Sequence, residues 1–422
     1  MIEGEKLAII ADDFTGAGDA GIHFARSGSR AELLLHISAL EGAPLNEDAI
    51  AITTETRFLS PADAASVVAR TIGLCQSSGY HAIYKKIDST MRGNPGAEIE
   101  AALSVTGQSA AIICPAMPET GRTCVGGVIW LNGEPLHRSD IGSDPFHPLE
   151  TSEIAEILKA QTTLPIGVLD LDDIEAGSIH MAERVRTLIA EGVRLITADA
   201  TTIAHLQALA RLVMSENLLP VGAGGFARAV AAEWAKGKKG RPETAPVHGP
   251  LLAIVGSLAP ISLSQAKQAK HSGLFTSIQL SAHDTLEDMK QKCATALSHP
   301  GAEGLNVLLH IADDADKQTV SKQDGERVAA LLGAAAVEIC GIVPCKTVYS
   351  TGGSTSIAVA QAFGIQSVSL VNELLPGVVL GICESNDKGI EGFISKAGGF
   401  GEKDLLLTIA SRIVQPCLAA QV

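Results

Sequence analysis

Two adjacent carboxylates, Asp12 and Asp13, stand directly behind the apolar run Leu7–Ile10 in the segment ADDFTGAGDAGIHFA, residues 11–25. A buried strand that ends in paired acids, then a Thr/Gly turn and an apolar-periodic helix, sets polar side chains where open α/β sheets bind ligands. Such a pair can position a metal, accept a hydroxyl proton or hold a polyol. Either acid also suits a helix N-cap. A second cluster, YKKIDSTMRGNPGAE at residues 84–98, again follows an apolar run and carries Lys85, Lys86, Asp88, Ser89, Thr90 and Arg92. Lys and Arg of fixed reach bind a carboxylate or phosphate, the Arg bidentately. Asp88 suits a general base or a partner for a substrate hydroxyl. Arg57, in TETR behind the run Ala49–Thr53, joins the same cleft if the two strands are neighbours.

The second half carries a different chemistry. Three glycine-bearing turns follow apolar runs: VGSL at Val255–Leu258, STGGSTS at Ser350–Ser356 and KAGGFG at Lys396–Gly401. Gly352 and Gly353 let backbone approach a phosphate, and Ser354, Thr355 and Ser356 open an apolar-periodic helix whose first N–H groups suit an anion. Ser257 is a second phosphate candidate. GxxxxGK[ST] and GxSxG are absent, which removes the P-loop and hydrolase-elbow readings. PAMPETGR at Pro115–Arg122 leads into a polar stretch with Asn132, His137, Asp144 and His147. Its irregular spacing suits a loop over the substrate better than a metal site, and no metal ligand is assigned.

The elements that must position these groups are short apolar runs alternating with helical patterns, which predicts parallel strands joined by crossover helices. Strand candidates are Leu7–Ile10, Ala31–Leu35, Ala49–Thr53, Ala82–Lys85, Ala110–Cys114, Ile166–Leu169, Arg194–Thr197 and Leu219–Val221, with Pro61–Gln76 and Pro95–Leu103 among the helices. After a Lys/Gly/Pro-rich stretch, the pattern restarts with Leu251–Val255, Phe275–Leu280, Asn306–Ile311, Lys346–Tyr349, Ser367–Val371, Val378–Leu380 and Gly392–Ile394. The expected organisation is a substrate domain over 1–235, a linker over 236–250 and a nucleotide domain over 251–422. The fold class is α/β, two domains with mainly parallel sheets facing across a ligand cleft.

Hydrophobic content of 46% with 42 glycines suits such an enzyme and not a disordered chain. A net charge of −15 argues against nucleic acid or a membrane surface as partner. The N-terminus lacks the basic start and apolar stretch of a signal peptide, and the eight cysteines show no CxxC spacing. A cytoplasmic protein without a disulfide framework is the expectation.

The chain resembles the four-carbon acid sugar kinases over essentially its whole length. The family's ADD-[FL]-TG-x-x-D segment is matched by Ala11–Gly16 and Asp19, its TGG-[DE]-T turn by Thr351–Thr355, and its K-x-G-x-FG turn by Lys396–Gly401. KKIDSTMRGNPGAE, PAMPETGRT and the Asn132–Leu136 stretch resemble the subgroup that phosphorylates the 4-hydroxyl of D-threonate or D-erythronate. The resemblance implies an acid-sugar site at Asp12, Arg57 and the run Lys86, Ile87, Asp88 and Ser89, with Arg92 beside it. It implies an ATP site at Ser257, Gly353, Ser354, Thr355, Ser356 and Gly398, to which the reading of the turn adds Gly352, with Mg²⁺ accompanying ATP. Asp12 or Asp13, ahead of Asp88, is the expected base. Ser354 replaces the acidic residue usual in the family turn, a role that a neighbour such as Glu384 would take over. The expected partners are the acid sugar and ATP, and a homodimer is compatible with the reading. The alternatives are a 3-oxo-tetronate 4-kinase, a metal-dependent sugar-acid aldolase or dehydratase, which needs no nucleotide, and a sugar-acid sensor, for which no output module is visible.

Overall fold

The computed structural model describes residues 5–41, 45–139, 141–142, 149–236, 247–298, 306–311, 322–383, 386 and 388–415. Asp144, His147 and Glu384 lie outside the described residues, as does most of the expected linker. The chain divides into two compact units, Met1–Pro242 and Glu243–Val422.

The first unit runs β1 (Lys6–Ala11), α1 (Phe14–Arg26), β2 (Ala31–Leu34), β3 (Ala49–Thr53), α2 (Pro61–Ser77), β4 (Tyr80–Lys86), α3 (Pro95–Thr106) and β5 (Ala111–Cys114). It continues with β6 (Arg122–Val125), β7 (Val128–Leu131), β8 (Glu134–Pro135), α4 (Ile154–Lys159), β9 (Ile166–Leu169), α5 (Leu171–Glu175) and α6 (Ser178–Ala190). It closes with β10 (Leu195–Ala198), α7 (Ile203–Ser215), β11 (Leu219–Gly222) and α8 (Gly224–Trp234). The main sheet has the order β2-β3-β1-β4-β11-β5-β10-β9, and these neighbours pair in parallel. Its strands are near-continuous apolar runs because both faces are covered, α1 packing on α8 and α2 on α3. From β1 the chain moves to one side through β2 and β3, then crosses to β4 on the other. That reversal makes the carboxyl ends of β3, β1 and β4 the crevice where ligands bind in this architecture.

The second unit comprises β12 (Val247–His248), β13 (Leu251–Val255), α9 (Pro260–His271), β14 (Phe275–Leu280), α10 (Leu286–Leu297), β15 (Asn306–Ile311) and α11 (Lys322–Ile342). Then come β16 (Thr347–Thr351), α12 (Gly353–Ala362), β17 (Ser367–Leu375), β18 (Val378–Ile382), β19 (Gly392–Lys396), α13 (Leu405–Thr408) and β20 (Val414–Gln415). Its sheet order is β14-β15-β13-β16-β19-β18-β17. A core of Leu251, Ala253, Phe275, Leu308, Tyr349, Ile394 and Leu405 lies under the helices on one face.

Three features add detail to the mainly parallel plan. Not every strand is parallel: β17, β18 and β19 form an antiparallel meander, because Pro376-Gly377 is a tight turn too short for a crossover. Part of the polar stretch behind PAMPETGR is the antiparallel sheet β6-β7-β8, joined at Gly126-Gly127 and Asn132-Gly133 with all four residues at positive φ, as two-residue hairpins require. The end of the expected linker is also structured, since Val247 and His248 pair with Val414 and Gln415. The seven cysteines among the described residues are free thiols. No helix among those residues is long and apolar enough to cross a membrane.

Candidate active site

In the first unit, neighbouring strands bring the sequence clusters together. Asp12 and Asp13 follow β1, Arg57 follows β3, and Lys86 ends β4 with Ile87 to Arg92 behind it. Threonines bind the loops to one another: the Thr54 hydroxyl donates to the Ala11 carbonyl at 2.8 Å, and the Thr56 amide to the Asp12 carbonyl at 3.1 Å. The Asn94 side-chain amide donates to the carbonyls of Thr56 and Leu59, both at 3.0 Å, tying the loop after β4 onto the loop after β3.

Arg57 is the hub. Its Nε and Nη2 donate to the two Asp12 oxygens at 2.7 and 3.0 Å, and Nη2 also donates to Asp13 Oδ1 at 2.8 Å. Asp13 is at the same time the N-cap of α1, accepting from the Gly16 amide at 3.0 Å and the Thr15 hydroxyl at 2.7 Å. Burial opposes its ionisation, but Arg57, Lys86 and Thr15 prevail and hold its carboxyl below the ordinary range. Asp88 has the same design. Arg92 grips both its oxygens at 2.6 and 3.1 Å and Thr90 donates to it. Burial raises its pKa, yet Arg92 and Arg57 hold it well below the usual carboxylate value.

Lys85 and Lys86 alternate across the sheet, as neighbours in a strand must. Lys85 is fully buried against Glu98 of α3 at 2.6 Å and is a structural cation, not part of the ligand face. Lys86, 4% exposed, donates only to the Ile87 carbonyl at 2.9 Å and meets no carboxylate within ion-pair distance among the described residues. Its ammonium lies beside Gly16, where an added Cβ would come within 3.2 Å of Nζ. A buried lysine with donors to spare is the open cation of this site. Ser89 is also nearly buried, and Ile87 is core.

Three charged residues here escaped assignment from sequence. Arg122, at the start of β6, senses Asp88, Arg92 and Asp19, and burial lowers its pKa. The arginine ending PAMPETGR was its signal. Asp19 lies against Gly224, where a side chain would collide with it, so it covers the first turn of α8. Burial above all, then Asp13, outweighs Lys86 and Arg122 and raises its pKa. Glu55 sits between the inward-facing Thr54 and Thr56 with φ of 50°, a conformation that L side chains seldom adopt. Its carboxyl accepts from the Thr53 hydroxyl at 2.5 Å. Although the residue is exposed, the protein packed around it and the charge of Asp13 push its carboxyl up to about 7, against Thr53, Arg57 and the Phe14 amide.

In the second unit the three glycine turns converge at the ends of β13, β16 and β19, consecutive in the sheet. Gly352, at φ 99°, leads into α12 with no side-chain cap. The amides of Gly353, Ser354 and Thr355 have no partner among the described residues, whereas Ser356 donates to the Gly352 carbonyl at 2.9 Å. Those bare amides at a helix N-terminus fit a phosphate. Gly256 and Gly398 are required by packing: a Cβ would strike the Thr355 hydroxyl at the first and Ser257 at the second. Ser356 departs from expectation. Its hydroxyl is buried and donates to Ser350 at 3.1 Å, so it anchors the turn from within. A cavity of about 430 Å³ opens next to Ser257, bordered by Leu258, Leu263, Lys270, Gln279 and His310.

Two family descriptions match this architecture, a sugar-binding N-terminal domain over residues 7–230 and a nucleotide-binding C-terminal domain over residues 252–406. The chain belongs to the four-carbon acid sugar kinase family. Within the family it is 31% identical to the D-threonate kinase of Salmonella typhimurium over 95% of this chain and 96% of that one. It is 34% identical to the D-threonate kinase of Cupriavidus necator over 94% and 95%. A 3-oxo-tetronate kinase of Pseudomonas savastanoi pv. phaseolicola is 30% identical over 94% and 95%. A solved chain from Salmonella typhimurium LT2 shares the fold at a TM-score of 0.83 and 23% identity, covering 97% of this chain and all of that one.

Proposed function

We propose that this protein is an ATP-dependent kinase that phosphorylates the 4-hydroxyl of a four-carbon sugar acid, D-threonate foremost. The observation that carries the reading is the chemistry of the strand ends, a spare buried cation in the first unit and uncovered amides in the second. Lys86 takes the substrate carboxylate, assisted by the free Nη1 of Arg57 and by Arg92. Asp12, Asp88 and Ser89 hold the hydroxyls, and the Ile87 backbone shapes the floor. Asp12 and Asp13, fixed by Arg57, orient the terminal hydroxyl. Ser257, Gly352 to Thr355 and Gly398 receive the triphosphate, and Ser356 braces them. Mg²⁺ carried on the phosphates would supply charge neutralisation; the turn Gly352–Ser356 itself offers no carboxylate, Ser354 standing where the family resemblance implies an acid.

Phosphoryl transfer forms the bond from the 4-oxygen to the γ-phosphorus and breaks the bond to ADP, and it depends chiefly on alignment and charge neutralisation. ADP release should be followed with D-threonate, D-erythronate, their L-forms and 3-oxo-tetronates, with the phosphate position read by NMR. Turnover of D-threonate ahead of the others supports the proposal. Nucleotide-independent turnover of any sugar acid refutes it.

A further inference from the structure

Lys396 is a buried cation that the proposed reaction leaves without a task. It ends β19, is 1% exposed, and has no carboxylate within ion-pair distance among the described residues. Its ammonium donates instead to three neutral oxygens: the Phe400 carbonyl at 2.8 Å, and the Gly398 carbonyl and Ser262 hydroxyl, each at 3.3 Å. The Ser262 hydroxyl donates to the same Gly398 carbonyl at 2.7 Å, and Gln265 Nε2 donates to the Phe400 carbonyl at 3.1 Å. Three side chains thus hold two carbonyls of the KAGGFG turn from below. Above them Gly398 packs directly on Ser257, and the Gly352 amide donates to the Lys396 carbonyl at 3.1 Å. The lysine therefore joins all three turns that converge at the proposed phosphate site.

We propose that Lys396 is the positioning residue of the nucleotide site: it fixes the turn at residues 397–400 against Ser257 and keeps there a positive charge whose counter-charge is the bound triphosphate. This inference rests on the nucleotide reading of the second unit. A methionine or leucine would fill the same space more cheaply if shape alone were needed, since a buried charge without a counter-ion is costly. The missing counter-ion is what points to an anionic ligand. Burial depresses the lysine to about 8, with no charged group contributing. Its neighbours, Thr351 across from it on β16, Val378 on β18, and Ser262 and Gln265 on α9, are all uncharged. The free protein accordingly holds a largely neutral amine above pH 8, and an arriving triphosphate favours the ammonium. Nucleotide binding then takes up a proton.

The test is titration calorimetry of the whole protein with ATP–Mg²⁺ at pH 8.5 in two buffers of different ionisation enthalpy. The nucleotide is fully ionised there, because its last phosphate proton is lost well below that pH. Expected is the uptake of about half to three quarters of a proton per ATP bound, since a group near 8 is already about one quarter protonated at pH 8.5. Lys396→Gln should abolish the uptake and weaken ATP at least tenfold, with D-threonate affinity unchanged. Lys396→Arg, always charged, should recover affinity toward the wild type without proton uptake. Binding by the wild type with no proton uptake overturns the proposal, as does unaltered uptake in Lys396→Gln. Failure of the wild type to bind ATP–Mg²⁺ at all is a different result, which refutes the nucleotide reading itself.

Discussion

At the scale of residues, the site separates cations that are already satisfied from one that is not. Arg57 and Arg92 are each locked on carboxylates, whereas Lys86 donates only to the Ile87 carbonyl among the described residues. Lys86→Met should raise the Kd for D-threonate by about 10- to 150-fold, the usual worth of a charge-assisted hydrogen bond, with ATP affinity intact. Calorimetry with each ligand separately checks this, and equal loss for both would mark the lysine as structural. Glu55 should make the proposed site sensitive to pH. With its carboxyl near 7, it is mostly neutral at pH 6 and mostly charged at pH 8. The proposed substrate is itself an anion, so its KM should rise several-fold across that interval. In Glu55→Gln the rise should flatten; a persistent rise would assign it to another group.

At the scale of elements, alternation along β4 explains why adjacent lysines have opposite fates. Lys85 turns toward α3 and pairs with Glu98, whose carboxyl burial raises despite that partner. Removing one member of a fully buried pair strands the other, so Lys85→Met should cost about 3–5 kcal/mol in urea unfolding. The double variant Lys85→Met/Glu98→Leu should regain much of that loss. The turn after β19 offers a second prediction. A methyl group at Gly398 would meet Ser257, and the Ser257 Cβ is only 3.1 Å away. Gly398→Ala should weaken ATP at least tenfold while the affinity for D-threonate stays within twofold.

At the scale of the whole molecule, the proposed function gives each of the two compact units its own ligand, so each ligand should stabilise its own unit by mass action. At 100 times Kd a ligand adds about 2.7 kcal/mol, roughly 5–11 °C for a unit of this size. In calorimetric melting, D-threonate and ATP–Mg²⁺ should therefore shift different parts of the trace. A single transition shifted equally by both would mean that the units unfold as one.

Much of this molecule is written locally in the chain. The parallel strands of both sheets were legible because strands covered on both faces need unbroken apolar runs, and Leu7–Ile10, Ala49–Thr53 and Leu251–Val255 are such runs. The polar turns behind them were legible for the same reason, since a charged cluster after a buried strand has few structural uses. Strand order and side-chain direction were not, because they depend on partners far away in sequence. Only the fold decides that β3, β1 and β4 are neighbours, that Asp13 caps α1 while also pairing with Arg57, and that Ser356 faces inward. It likewise decides which lysine is neutralised: Lys85 and Lys86 are chemically identical letters, and a single step along a pleated strand sends one to Glu98 and the other to the ligand face.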